Sequence, residues 1–164
     1  MGRSARMGGR IRGFVHRDRR LKRFERYDFT FDGLDVRVTE VSNRRPAEAE
    51  EADEETFVLI HGLGVSSSSF VPLCTILAKH GRVLMFDLPG FGGVPRPRRR
   101  LRTADFAEVV RRTLNALHLE NPVIVGHSMG SQIVTELLAT HGGLASHAVL
   151  VGPIVTVEDR KSVV

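Results

Sequence analysis

The chain has 164 residues, 41% of them apolar, and no uninterrupted apolar stretch of 18 or more, which excludes a membrane-spanning helix and points to a soluble chain of about one domain with room for a real core. Its single cysteine, Cys74, excludes an internal disulfide and reads as a small buried hydrophobe. The formal charge of +5 is unevenly spread: residues 1–26 hold ten Lys or Arg against Asp18 and Glu25.

That basic arm, residues 1–26, has few apolar residues with which to join a core, so it is expected to be disordered at least to about Gly13. It lacks the interleaved aromatics of a base-stacking platform, so no specific nucleic-acid partner is expected. No charged-then-apolar signal segment opens the chain, and a cytoplasmic location is the default expectation. Residues 27–164 are read as the folded part. Tyr27 to Phe31 and Leu34 to Val41 alternate in polarity around the turn signal Asp32-Gly33, which predicts an antiparallel strand pair. Asn43 to Thr56 carries Pro46 and six acids, Glu48, Glu50, Glu51, Asp53, Glu54 and Glu55, and reads as an exposed loop without metal-ligand spacing.

Phe57 to Ile60 is a short apolar run of the kind buried on both faces of a parallel sheet, and it runs into His61-Gly62-Leu63-Gly64. Ser66 to Ser69 are placed to cap a helix through Phe70, Leu73, Ile76 and Leu77, with Gly81 as its stop. Val83 to Phe86 is the next strand and leads through Asp87-Leu88-Pro89-Gly90-Phe91-Gly92 into Val94 to Arg100, which reads as a basic, solvated surface loop. Thr103 is expected to cap a helix with Phe106, Val109, Val110, Leu114 and Leu117 on one face. Val123-Ile124-Val125 forms a further buried strand, and Ile133, Val134, Leu137 and Leu138 recur at helical spacing after it. Ala148 to Val151 is the last strand-like run. The regular strand–helix alternation predicts a mostly parallel sheet with helices on both faces, preceded by the antiparallel pair.

Between Val125 and Ile133 lies Gly126-His127-Ser128-Met129-Gly130, a match to G-x-S-x-G set in the strand–turn–helix context which that motif requires. A serine at the apex of such a turn is held in a strained conformation that lifts its hydroxyl clear of the sheet, and the flanking glycines allow backbone to approach closely. In order and spacing, His61-Gly62, Asp87 to Gly92 and Gly126 to Gly130 resemble the α/β-hydrolase fold family over roughly residues 27 to 155. The resemblance implies a nucleophile elbow with Ser128 as the nucleophile and an oxyanion hole from the backbone N–H groups of Leu63 and Met129. It makes His61, Gly62, Gly126 and Gly130 structural elements of the motif. Leu63, Val65, Phe91 and Met129 suggest an apolar substrate wall, with Val65 and Phe91 as substrate-binding residues.

The implied activity is serine-dependent hydrolysis of an ester-like or other acyl bond in a small molecule, with neither metal nor cofactor. A serine at position 128 stands against the branches that use an aspartate nucleophile, such as haloalkane dehalogenases and epoxide hydrolases, and leaves haloperoxidase-like or C–C-bond-cleaving activity open. A serine needs a base and an acid to orient it, which in this family follow in the order Ser, acid, His. His127, His141 and His147 each read as structural or surface residues, and Asp159 reads more readily as solvated tail than as the acid. The triad His and the last strands have no counterpart, so the chain looks like the N-terminal, truncated portion of such a domain. Its last strand is expected to leave an open edge that favours self-association. The alternative is a non-catalytic hydrolase-like binding or interaction module.

Overall fold

The structure, a computed structural model, describes residues 12–16 (backbone alone), 24–42 and 55–153. Seven strands form one sheet in the order β1-β2-β3-β5-β4-β6-β7. The strands are β1 Arg12–His16, β2 Phe24–Phe31, β3 Leu34–Val41, β4 Glu55–Ile60, β5 Gly81–Asp87, β6 Val123–His127 and β7 His147–Val151. The helices are α1 Val71–Leu77, α2 Thr103–Ala116 and α3 Met129–Thr140. β5, β4, β6 and β7 run parallel, and β1 to β3 add an antiparallel wing. The mostly parallel sheet with helices on both faces is therefore present, and its antiparallel wing has three strands where the sequence led us to expect a pair.

That extra strand corrects the reading of the arm at residues 12–16, while residues 1–11 and 17–23 lie outside the described residues. Arg12–His16 pairs with Phe24–Asp28, so backbone ladder bonds order a segment that apolar content alone would not. β2 likewise begins at Phe24 rather than Tyr27, because Phe24 is buried opposite Val41. The acidic segment 43–54 lies outside the described residues, but its last two predicted members, Glu55 and Thr56, belong to β4, where they pair with Gly81 and Arg82. Asp32 and Gly33 both take positive φ, +50° and +78°, which is the conformation that a two-residue hairpin turn needs.

Strand periodicity divides the core into two. Val58, Ile60, Leu84, Phe86 and Ile124 face α2 and α3, together with Phe29, Val36 and Val38. Their sequence neighbours Phe57, Leu59, Val83, Met85, Val123 and Val125 face α1. This is why β4, β5 and β6 carry no polar alternation. The face of α1 differs from the expected one: a 3₁₀ turn over Ser67–Phe70 precedes the helix and rotates it so that Phe70, Cys74 and Ala78 are buried while Ile76 is 56% exposed. Gly81 opens β5 instead of stopping α1, and a Cβ there would run into the Glu55 carbonyl oxygen.

At α2 the cap is also shifted. Arg102 is the N-cap, and the Asp105 carboxylate accepts its backbone N–H at 2.7 Å while Arg99 donates two hydrogen bonds to the same carboxylate. Those donors hold the Asp105 carboxyl down at about 2. α2 is tied to the β2–β3 turn by Arg112, which pairs with Asp32 and lies 4.8 Å from the Phe31 ring centroid. Among the described residues no helix is long and apolar enough to cross a membrane.

Cys74 is fully buried and its thiol is pushed up to about 11 by that burial. It is expected to stay unreactive toward Ellman's reagent in the native protein at pH 8 and to react at once in concentrated guanidinium chloride. Phe86→Ala, which empties the centre of the larger core, should lower stability by about 3–5 kcal/mol and bring the Cys74 reaction to lower denaturant; rapid labelling of the unaltered native protein would show that α1 is not seated on the sheet.

Candidate functional site

The parallel strands β4, β5 and β6 all end on one side of the sheet, and the three turns that follow them meet there. The turn after β6 is the most constrained. Ser128 has φ +53° and ψ −116°, a conformation that a non-glycine residue adopts at a cost of about 1–3 kcal/mol. It is the junction between β6 and α3, with Met129 as the first helical residue. A Cβ on Gly126 would lie 2.5 Å from the Gly130 carbonyl oxygen, and one on Gly130 would run into the carbonyl oxygen of Ile60. Glycine is therefore required two residues before and two residues after the serine.

The strained turn is held by hydrogen bonds. Ser128 N–H donates to the Val151 carbonyl at 2.9 Å, which ties the serine to the end of β7. The Ser131 hydroxyl, one turn into α3, donates to the Gly126 carbonyl at 2.8 Å and lies 3.2 Å from the Val151 carbonyl. Ser131 is 1% exposed, and the G-x-S-x-G pattern ends one residue short of it. The signal that could have found it is a polar residue on the apolar face of α3.

Gly62 comes close to the same point. A Cβ there would meet Ser128 Cβ and His127 Nδ1, each at 3.2 Å. This brings the Gly62-Leu63 turn beside both His127 and Ser128. Leu63 is 71% exposed and Val65 42% exposed, so both stand out from this turn into solvent.

His61 organises the two neighbouring turns. Its ring is buried, Nε2 accepts the Leu88 N–H at 3.2 Å, and Nδ1 lies 2.7 Å from the Gly62 carbonyl. Because Leu88 is the donor at Nε2, the proton of the neutral ring resides on Nδ1 and is donated to Gly62. Burial lowers the pKa of the ring from 6.5, since a second proton would have to sit on Nε2 against the Leu88 N–H. Phe91 packs edge-on against this ring, centroids 5.2 Å apart. A second clasp lies alongside: Asp87 accepts the Ser67 N–H at 2.7 Å and the Ser67 hydroxyl at 2.9 Å. Gly92 folds directly over that carboxylate, which a Cβ would strike. The serine run thus supplies a clasp for a buried acid, where the sequence suggested a helix cap.

Between these turns runs a groove of about 560 Å³, lined in part by Val65, Phe91 and Arg96. Val65 and Phe91 therefore line one cleft. Among the described residues no imidazole is hydrogen-bonded to the Ser128 hydroxyl: both ring nitrogens of His61 are engaged, His141 contacts Thr140 beyond the far end of α3, and His147 opens β7. Asp159 lies outside the described residues. No group of three or more His, Cys, Asp or Glu among the described residues is placed to hold a metal ion.

Two measurements check this geometry. Gly130→Ala should destabilise by more than about 1 kcal/mol, because relieving the Ile60 contact requires the turn to move; a variant as stable as the parent would show that the turn is slack. The His61 pKa is lowered on folding, so below about pH 6.5 the unfolded chain binds the extra proton. Stability should be full above that pH and fall as pH drops toward the folded value, by up to about 1.4 kcal/mol per pH unit, with the slope reduced in His61→Gln; equal slopes in urea titrations would contradict the assignment.

Residues 55–162 match the profile of the alpha/beta hydrolase fold. Over 118 residues the chain is 32% identical to (E)-2-((N-methylformamido)methylene)succinate hydrolase of Acinetobacter baylyi, covering 71% of this chain and 45% of that protein. It is 32% identical over 120 residues to a putative non-heme haloperoxidase of a Mycobacterium phage, covering 73% of this chain and 40% of that one. The chain therefore spans less than half the length of these relatives. The crystal structure of Cfl2 from Burkholderia cenocepacia superposes with a TM-score of 0.74 at 24% identity, over 85% of this chain and 45% of that one. With the profile matched across about two thirds of its length, the chain belongs to the α/β hydrolase fold family.

Proposed function

We propose that this chain carries the nucleophile and the oxyanion hole of a serine-dependent hydrolase acting on an ester-like or other acyl bond of a small molecule. The observation that carries the reading is the backbone of Ser128, φ +53° and ψ −116°, between two positions where only glycine fits. Such strain persists only where the surrounding structure over-determines it, and here it presents a half-buried hydroxyl at the start of a 12-residue helix. In this reading Ser128 Oγ attacks the carbonyl carbon, its proton passes to a base, and the carbonyl oxygen becomes an oxyanion. The N–H of Met129, at the first helical position, and the N–H of Leu63, in the turn brought against Ser128 through Gly62, donate to that oxygen. Collapse of the intermediate expels the leaving group and leaves an acyl-serine, which water then hydrolyses. No imidazole among the described residues is hydrogen-bonded to Ser128, so the base is not assigned to any of them. His61 keeps the Gly62 carbonyl engaged so that the adjacent Leu63 N–H is presented rather than turned away. Val65 and Phe91 form the apolar side of the acyl or alcohol site.

A fluorophosphonate probe labels only an activated serine, so it also separates this reading from a non-catalytic binding module. Where a base is supplied to Ser128, labelling at that residue is expected, and Ser128→Ala should abolish labelling and lower ester turnover by roughly 10⁶ in kcat where the catalytic residues act as a unit. Turnover that survives Ser128→Ala would refute the assignment; a protein that is neither labelled nor active would favour the binding module.

A further inference from the structure

The loop after β5 is exposed at Arg96, as its basic sequence suggested, and Arg96 also lines the groove shared with Val65 and Phe91. We propose that the groove between the turns after β4 and β5 takes an anionic group of the substrate, a carboxylate or a phosphate, with Arg96 as its counter-ion. This rests on the acyl-hydrolase reading of Ser128 and specifies the class of substrate.

Three observations support it. The first is composition: besides the apolar Val65 and Phe91, the groove is lined by glycine backbone, the hydroxyls of Ser66, Ser68 and Ser69, and Arg96, with no carboxylate among the lining residues. The acid beneath it, Asp87, is buried under Gly92 with both oxygens engaged by Ser67 and lies within the field of Arg37, so it leaves Arg96 unneutralised. The second is position. Arg96 stands between Pro95 and Pro97, which restrict its backbone from both sides. Its Cα and Cγ lie 3.7 and 3.9 Å from where a Gly90 Cβ would be, so the loop folds back onto the turn after β5 and fixes where the guanidinium emerges. The third is the hydrogen-bond inventory. Arg99 in the same loop is used up by Asp105, whereas Arg96 makes no ion pair among the described residues. Ser69 Oγ donates to the Ser66 carbonyl, but Ser66 and Ser68 share a single hydroxyl–hydroxyl bond of 2.7 Å, which leaves one of their two protons to donate outward. A planar guanidinium and a hydroxyl donor in an acid-free groove suit an oxyanion, and the apolar Val65 and Phe91 in the same groove suit the carbon skeleton that joins it to the scissile bond.

Binding is measured without turnover in the Ser128→Ala protein, by amide-shift titration with monomethyl succinate, methyl phosphate and the neutral methyl butyrate. The expected result is that at least one anion binds roughly tenfold more tightly than the neutral ester, as one charge-assisted contact allows. The preference should disappear in Arg96→Gln, return in part in Arg96→Lys and survive in Arg98→Gln. The stronger of the two anions tells carboxylate from phosphate recognition. Equal binding of all three compounds, no detectable binding of either anion, or a preference that survives Arg96→Gln would overturn the proposal. A serine that fails to label would count against the hydrolase reading and leave this binding result standing.

Discussion

The contact on which the rest of the site depends is backbone against backbone: the first turn of α3 pressed onto the end of β4. Gly130 sits so close to the Ile60 carbonyl that no side chain fits between them, and Gly126 sits nearly as close to Gly130. Parallel strands pair at about 4.8 Å, and a helix that begins immediately after one of them must cross its neighbour at short range. The chain accomplishes this by turning through Ser128 at positive φ. The same approach delivers the Gly62 turn to Ser128, so one steric requirement produces both the strained serine and its adjacent peptide groups.

Strain of this kind lasts only in a rigid frame, and the frame is polar as well as apolar. His61 ties the turn after β4 to Leu88 in the turn after β5, and Asp87 ties its own strand end to Ser67. Both groups are buried and satisfied in the forms they hold, so breaking either clasp leaves donors or acceptors without partners in a water-poor region, at about 1–3 kcal/mol each. On the far side Val151 of β7 and Ser131 of α3 close the turn around Ser128. β7 contributes this anchor while exposing Val149, Leu150 and Val151, each more than 40% accessible, at the edge of the sheet as described.

The relatives are named for different chemistries, a succinate-derivative hydrolase and a putative non-heme haloperoxidase. One fold hosts many chemistries, so the fold alone does not decide which one a chain performs. In this chain the loop after β5 places Arg96 in one groove with Val65 and Phe91.

Local patterns determined much of this protein. Three apolar runs without alternation marked β4, β5 and β6 as buried on both faces, Asp32-Gly33 marked the hairpin, and G-x-S-x-G marked the turn at Ser128, because burial on two faces, positive φ and close backbone approach each restrict residue type within a few positions. The strand at Arg12–His16 was not legible, since its order comes from pairing with β2 rather than from its own apolar content. The buried face of α1 was misjudged by a rotation, because the 3₁₀ turn ahead of it is set by Ser67 reaching Asp87, twenty residues away in sequence. Ser131, the acceptor role of Asp87, the proton position on His61 and the place of Arg96 were likewise decided only by tertiary structure. Each depends on which backbone or side-chain group arrives from another strand, and periodicity within a segment carries no record of that.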